Sequence, residues 1–212
     1  MSKKIVLVGG GGHCISCIEV IESTRKYEIH GILDVSEKVG KKVLDHPIIG
    51  TDSDIDKYAR ENFCFIVTAG HIKTSEIREK LYGLIKKANG TMETIVAGSA
   101  IVSKYSSIGE GSIIMHNAFV NAGARIGINC IVNSGALIEH QVQIGDHTHI
   151  STMATINGDC AIGQKTFIGS NSVVNQGVKI TENVIVGSGS VVHKNILSPG
   201  TYAGNPYKKL AD

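Results

Sequence analysis

From Val96 to Val192 the sequence sets isoleucine or valine at every sixth residue, seventeen times running, with no insertion or deletion. Two residues before each one comes a small or β-branched residue, as at Ser112, Ala118, Ala124, Cys130, Ala136, Thr148 and Ser172. Glycine often follows directly, as at Gly109, Gly127, Gly145, Gly163, Gly169 and Gly187. A six-residue period is the signature of a parallel β-helix. Each short strand turns one large branched side chain and one small one inward, and the glycines are expected to relieve backbone strain at the corners. Three hexapeptides make one triangular coil, so the tract holds about five coils, stacked roughly 4.8 Å apart.

The residues before this tract follow another grammar. KIVLVG reads as a buried strand that runs into glycines, and EIHGILD and FCFIVTAG read as two more. Between them HCISCIEVIEST has helical spacing, with Ile15, Ile18, Val20 and Ile21 as its apolar residues. SEIREKLYGLIKKANG is an amphipathic helix with Ile77, Leu81, Leu84 and Ile85 on one face and Asn89-Gly90 as its stop. Strands alternating with helices imply a small parallel sheet with crossover helices. The expected organisation is an α/β domain of βαβ (Rossmann-like) type over residues 1–92, a β-helix over 93–196 and a tail over 197–212.

The formal net charge is +2, with acidic and basic residues scattered. No cluster exists that would neutralise many phosphates, so nucleic acid is not an expected partner. No apolar run of about 18 residues is present, and the apolar stretch at the start is short for a signal peptide, so neither a membrane nor export is expected. Five cysteines form no framework spacing, which fits a reduced, cytoplasmic protein. Cys14 and Cys17 have the spacing of a redox or zinc half-site. Without a second pair they read better as small residues on one turn of a buried helix.

Gly9 to Gly12, followed by His13, form a glycine turn between strand and helix, where backbone N–H groups can approach a diphosphate. Cys14 occupies the third glycine position of a dinucleotide fingerprint, so one nucleoside diphosphate is a better tenant than NAD. Asp34 ends the next strand, where an acidic residue commonly meets a ribose hydroxyl or a base edge. In the repeat, His140 and His149 fall at outward positions. They could serve as a general base and its helper, as metal ligands, or as surface polar groups. Residues 18 apart stack, and those around His140 are Ala122 and Gly158, neither of which binds metal. His116 is out of that register, and His147 with His149 alone would leave a site short of ligands. Ser170 and Ser188 are 18 apart and can line one groove on consecutive coils.

The hexapeptide tract and the closing segment SVVHKNILSPGTYAGNPYKKL together resemble the left-handed β-helix acyltransferases. GGGGH after the first strand, ILD after the second, AG after the third and IEH in the tract narrow this. The chain resembles the NeuD-type sugar acyltransferases, which include N-acetyltransferases of nucleotide-linked 4-amino sugars and sialic acid O-acetyltransferases. The resemblance implies a homotrimer with acetyl-CoA in the groove between neighbouring β-helices and no metal. It makes His140 the general base and Asn133 a neighbour of the acceptor amine. His149, Ser170 and Ser188 become acetyl-CoA contacts, and Gly11, Gly12, His13, Asp34 and Gly70 the nucleotide site. Gln141 stands where such enzymes carry an acidic residue, so it can orient the imidazole but not stabilise its charge. The implied activity is acetyl transfer from acetyl-CoA to the amino group of a nucleotide-activated 4-amino-4,6-dideoxy sugar. O-acetylation of a sialic or other nonulosonic acid is the enzymatic alternative. A metal hydratase of the γ-carbonic anhydrase kind, or a non-catalytic β-helix, is the alternative from another class.

Overall fold

The computed structural model describes residues 2–210. The front of the chain builds a six-stranded sheet around β1 (Lys3–Val8), whose last four residues are buried because both faces are covered. β2 (Tyr27–Leu33) and β5 (Cys64–Val67) flank it in parallel, and β6 (Thr91–Met92) pairs with β5. The far edge holds β3 (Lys42–Val43) and β4 (His46–Gly50), an antiparallel hairpin whose second strand runs parallel to β2.

Alternation along β1 divides its side chains between two cores. Ile5 and Leu7 face α1 (Gly12–Thr24), and Val6 and Val8 face α2 (Ile55–Arg60) and α3 (Glu76–Lys87). α1 buries Cys14, Cys17, Ile18, Val20 and Ile21. Its two cysteines are helix packing residues. Two expected core residues point elsewhere: Ile15 is 47% exposed and Ile77 is 63% exposed. Ile77 lies in the first turn of α3, ahead of the stretch that packs on the sheet, and the buried face there is Arg78, Leu81 and Ile85.

From β7 (Ile95–Val96) onward, two-residue strands recur every six residues to Val191–Val192, broken only by one three-residue strand at Val184–Val186. They stack in parallel into three sheets, each residue pairing with the one 18 positions on, as Ile131 does with His149. The inner column is buried from Ile114 to Val192, with Ser112, Ala118, Cys130, Ala136, Thr148 and Ser172 filling the gaps between.

The glycines have a different task from the one their pattern suggested. The left-handed corners are taken mostly by other residues: Asn117, Asn129, Gln141, His147, Asp159, Lys165, Asn171 and Asn183 all have φ between 52° and 62°. After glycine, which holds corners such as Gly111 and Gly123, Asn and Asp tolerate that region best. The glycines that follow the inner isoleucines are there for closeness. A Cβ on Gly145 would lie 2.5 Å from the Gln164 nitrogen, and one on Gly169 would lie 2.5 Å from the Ser188 nitrogen.

Each sheet has a distinct outer face. The first carries Ile95, Ile113, Ile131, His149 and Phe167, all buried beneath the front domain. The second carries Ile101, Phe119, Leu137, Thr155, Val173 and Val191, none of them buried. The third carries Ser107, Arg125, Gln143, Ala161 and Lys179, mostly exposed. α1 is held between the front sheet and the first face, so one apolar core crosses the junction of the two units.

Arg78 fastens the same junction. Its side chain is fully buried, and its guanidinium donates to the carbonyls of Val67 and Ala69, to the carbonyl of Asn129 at 3.1 Å and to Asn129 Oδ1 at 2.7 Å. Asn129 Nδ2 donates back to the Arg78 carbonyl at 3.2 Å and to His147 Nδ1 at 2.9 Å. Burial pushes Arg78 down to about 10, which leaves it charged at neutral pH. Arg78→Ala would strand several buried acceptors at once. It should lower stability by about 3 kcal/mol or more in urea unfolding, and a loss below about 1 kcal/mol would contradict this account of the junction.

Candidate functional site

A cavity of roughly 790 Å³ opens at the carboxyl ends of β1, β2 and β5 and reaches the first face of the β-helix. Ligands of open parallel sheets bind at this end of the strands. Gly9 ends β1 with φ of +110°, where a Cβ would lie 2.7 Å from the Ala69 nitrogen. A Cβ on Gly10 would lie 2.7 Å from Asp34 Oδ2, which accepts the Gly10 N–H at 2.8 Å. Gly11 and Gly12 differ: added side chains would meet no atom within 4 Å. They face open space at the start of α1, and Gly11 as N-cap gives that helix no side-chain cap. The uncapped N–H groups are free for an anionic ligand.

Asp34 sits at the rim of this turn. Its carboxylate accepts from Gly10, from the Val35 N–H at 2.7 Å and from Lys38 Nζ at 2.9 Å. Burial alone would raise its pKa, but Lys38 and the two N–H groups outweigh it and hold the carboxyl below its usual range. Gly70, after β5, makes room for His13, whose Cβ would be 3.1 Å from a Cβ at that position.

Three imidazoles close the inner end. His149 projects from its coil, as its position before Ile150 requires, and the front domain covers it. Its Nδ1 donates to the His71 carbonyl at 2.8 Å, which leaves Nε2 to accept from Asn133 Nδ2 at 3.2 Å. The rings of His13 and His71 lie 6.1 Å and 5.4 Å from that of His149, and Phe167 lies 5.1 Å from it. Burial first, then His149 and Arg78, push His13 and His71 down to about 3. Burial likewise takes His149 to about 4, against its hydrogen bond to His71. His71 was not among the residues picked out from sequence. A single histidine after a strand-ending Ala-Gly carries no pattern, and only its contact across the junction gives it away.

The remaining candidates lie on two corners of the β-helix. Asn133, Ser170 and Ser188 follow strands of the first sheet and occupy the corner between the first and second faces. Ser170 and Ser188 stack there, and Ser170 Oγ is 2.9 Å from Ser151 Oγ. His140 and Gln141 occupy the next corner, between the second and third faces. His140 is exposed and lies over Gly158 of the following coil, where a Cβ would fall 2.5 Å from its Cε1 and 2.6 Å from its Nε2. Gln141 takes the left-handed corner conformation, φ 61°, and no hydrogen bond between its side chain and His140 occurs among the described residues. Glu139 is drawn the other way: its Oε2 accepts from Asn121 Nδ2 at 2.7 Å and from the His140 backbone N–H at 3.2 Å.

His147 and His149 do not form a chelating pair, since His147 Nδ1 accepts from Asn129 and both nitrogens of His149 are engaged. Among the described residues no group of three or more His, Cys, Asp or Glu side chains could hold a metal ion. Nor is any helix among them long and apolar enough to cross a membrane.

Residues 4–83 match the family model of the PglD N-terminal domain, and residues 159–194 match the bacterial transferase hexapeptide model of six repeats. No curated protein matches the chain. Among solved structures it is similar to the acetyltransferase domain of PglB from Neisseria gonorrhoeae FA1090, with a TM-score of 0.91 and 28% identity over 99% of this chain and 100% of that one. That domain has also been solved with acetyl coenzyme A. It is similar to PerB from Caulobacter crescentus in complex with CoA and GDP-perosamine, with a TM-score of 0.91 and 27% identity over 98% and 97% of the two chains. Variants of that perosamine N-acetyltransferase with one histidine replaced by asparagine or alanine are among the solved structures. WeeI from Acinetobacter baumannii AYE shares the fold, with a TM-score of 0.85 at 22% identity over 99% and 100% of the chains.

The buried imidazoles make stability depend on pH. Unfolded, each titrates near 6.5, while the folded chain keeps them neutral to about 4 or 3. As pH falls below 6.5 the unfolded state takes up protons that the folded state cannot. The stability present above 6.5 is therefore lost toward pH 4, at about 1.4 kcal/mol per pH unit for each histidine. Urea midpoints measured from pH 7.5 to 4.5 should fall along this slope, and His71→Phe should make it shallower.

Proposed function

We infer that this chain, a member of the NeuD-type sugar acyltransferases, transfers an acetyl group from acetyl-CoA to the amino group of a nucleotide-linked 4-amino sugar. One observation carries the reading: the cavity that offers a glycine turn and Asp34 to a nucleotide ends on the β-helix, at His149. From there Asn133 leads to the corner that bears Ser170 and Ser188. The acetyl-CoA and GDP-perosamine complexes of similar proteins support the same pairing of substrates.

In this reading Gly11, Gly12, His13, Asp34 and Gly70 hold the nucleotide, and Ser170 and Ser188 line the path of the cofactor. His149 lies between the two sites and Asn133 beside the acceptor amine. His140 removes a proton from the sugar ammonium, directly or through a water, and the freed amine attacks the thioester carbonyl. The tetrahedral oxyanion is held by backbone N–H groups; as it collapses, the second proton on the attacking nitrogen passes through His140 or a water to the departing sulfur, and CoA leaves as its thiol. No acyl-enzyme is needed, since the amine is itself the nucleophile. Gln141 lends no negative charge, and Glu139 is committed to Asn121 and its neighbour's backbone, so among the described residues neither supplies the imidazole with a carboxylate partner. That favours an amine over a sialic acid hydroxyl, because the alcohol makes the heavier demand on a base.

Within one chain, the unburied apolar second face separates His140 from the cofactor corner. A homotrimer that buries this face would bring the His140 of one protomer to the groove of the next, and sedimentation should find a trimer.

The activity is tested by thiol release from acetyl-CoA with a panel of UDP-, GDP-, dTDP- and CMP-linked amino sugars and with free sialic acid. Turnover of a nucleotide amino sugar is expected, and turnover of the nonulosonic acid alone would overturn the reading. With the preferred substrate, His140→Ala should lower kcat by roughly 10²–10⁴-fold while leaving acetyl-CoA binding nearly unchanged. Gly158→Ala should displace the imidazole and lower kcat as well, with little change in KM for either substrate. Native turnover in Gly158→Ala would mean that the His140 ring does not sit over Gly158 during catalysis.

A further inference from the structure

Two imidazoles in the cavity have nitrogens that nothing among the described residues satisfies. His71 is 8% exposed and lacks a hydrogen-bond partner at both ring nitrogens, and His13 lacks one at Nε2. Buried polar atoms are rarely left so, because each forfeits its hydration without replacing it. The rings are also held in place. His71 packs edge-on against His149 and against Phe167, at 5.4 Å and 6.4 Å between centroids, and its own carbonyl is tied to His149.

Their position along the cavity follows from contacts already given. Asp34 holds Gly10, Gly11 and Gly12 face open space, His13 follows, and His71 and His149 come last. Beyond His149, Asn133 opens onto the cofactor corner. A ligand with its nucleoside at Asp34 and its diphosphate at the glycine turn would carry its sugar to His13 and His71.

The chemistry of the site points the same way. The charged and titratable groups acting on His71 are His149, Arg78, His13 and His147, and no carboxylate is among them. With burial, they keep its imidazole neutral at physiological pH. A neutral imidazole offers one donor and one acceptor. A diphosphate only accepts, so it can satisfy one of the two nitrogens and not both. A sugar hydroxyl donates and accepts.

We propose that His71, flanked by His13, reads the hydroxyl groups of the nucleotide-linked sugar and so helps to select and orient it for acetylation. The proposal rests on the reading of this cavity as a nucleotide-sugar site. It makes His71 a specificity residue that contacts substrate away from the reacting amine. Neutral imidazoles suit the task, since they recognise hydroxyls with no net charge to draw other anions into the sugar end.

The test compares two kinds of probe on the full chain by calorimetry: UDP, GDP and dTDP bare, and the same diphosphates carrying a 4-amino-4,6-dideoxy sugar. His71→Phe keeps a ring of similar width but loses both nitrogens. It should weaken the sugar conjugate by about tenfold to a hundredfold and leave the bare diphosphate within about twofold. His71→Gln, which retains a donor and an acceptor, should recover much of the loss. Equal weakening of both probes would overturn the proposal in favour of a diphosphate contact or a packing role. Undiminished binding of the conjugate would overturn it outright. If no bare diphosphate binds the native chain, the nucleotide reading of the cavity fails first and this proposal falls with it.

Discussion

A single buried guanidinium governs how the two units of this protein meet. Among the described residues Arg78 has no carboxylate partner. It is held by carbonyls from β5 and by the corner residue Asn129, so its charge is met by dipoles from both units at once. A buried cation is costly unless its hydrogen bonds are made, and here the two terminal nitrogens make four while Nε has no partner among the described residues. The arrangement is therefore strongly directional, and neither unit can slide without leaving the cation unpaired. Around it the contacts become ordinary surface chemistry: Lys165 with Glu79 at 2.7 Å, Lys86 with Glu110 at 2.9 Å, and Tyr82 with Glu110. Exposed pairs of this kind contribute little singly. The apolar core that α1 shares with the first face supplies area, and Arg78 supplies register.

Register is what the cavity needs. The segment from Gly70 to Ser75 joins β5 to α3, and Arg78 fixes both of its ends by bonding back to Val67 and Ala69. That sets His71 over His149 and completes a wall that neither unit possesses alone. The geometry is local in space and remote in sequence, with the two histidines 78 positions apart.

This separation explains what could be read from the chain and what could not. The β-helix was legible because its constraint is repeated at every coil. Any departure from the pattern at Ile138 or Ile144 would be felt by both neighbouring coils. The βαβ order was legible from the buried runs at Ile5–Val8 and Phe65–Val67. The hairpin of Lys42–Val43 with His46–Gly50 was not, since its first strand has two residues and its second holds Pro47 and no continuous buried run, and neither was the six-residue helix α2. The glycines were found but given the wrong reason, because a sequence shows where side chains are missing and not whether torsion or proximity forbids them. Ile77 has helical spacing and yet faces the cavity, since spacing cannot tell where along a helix its packing begins. Gly11, Gly12, His13, Asp34 and Gly70, which the family resemblance groups together, line one cavity. His149 joins them, and His71 was invisible until the two units were docked.

The shared wall also bears on how such proteins diversify. Strand β6 ends at Met92 and β7 begins at Ile95, so the chain has a natural seam for recombination. A crossover there would carry away the glycine turn, Asp34, His13 and His71, and leave His149, Phe167 and Asn129 behind. The inherited halves would then have to agree on where one histidine ring rests against another. In this architecture the front unit is not a freely exchangeable cassette. Its cavity wall is built from both sides of the seam, and a change on one side constrains what the other can accept.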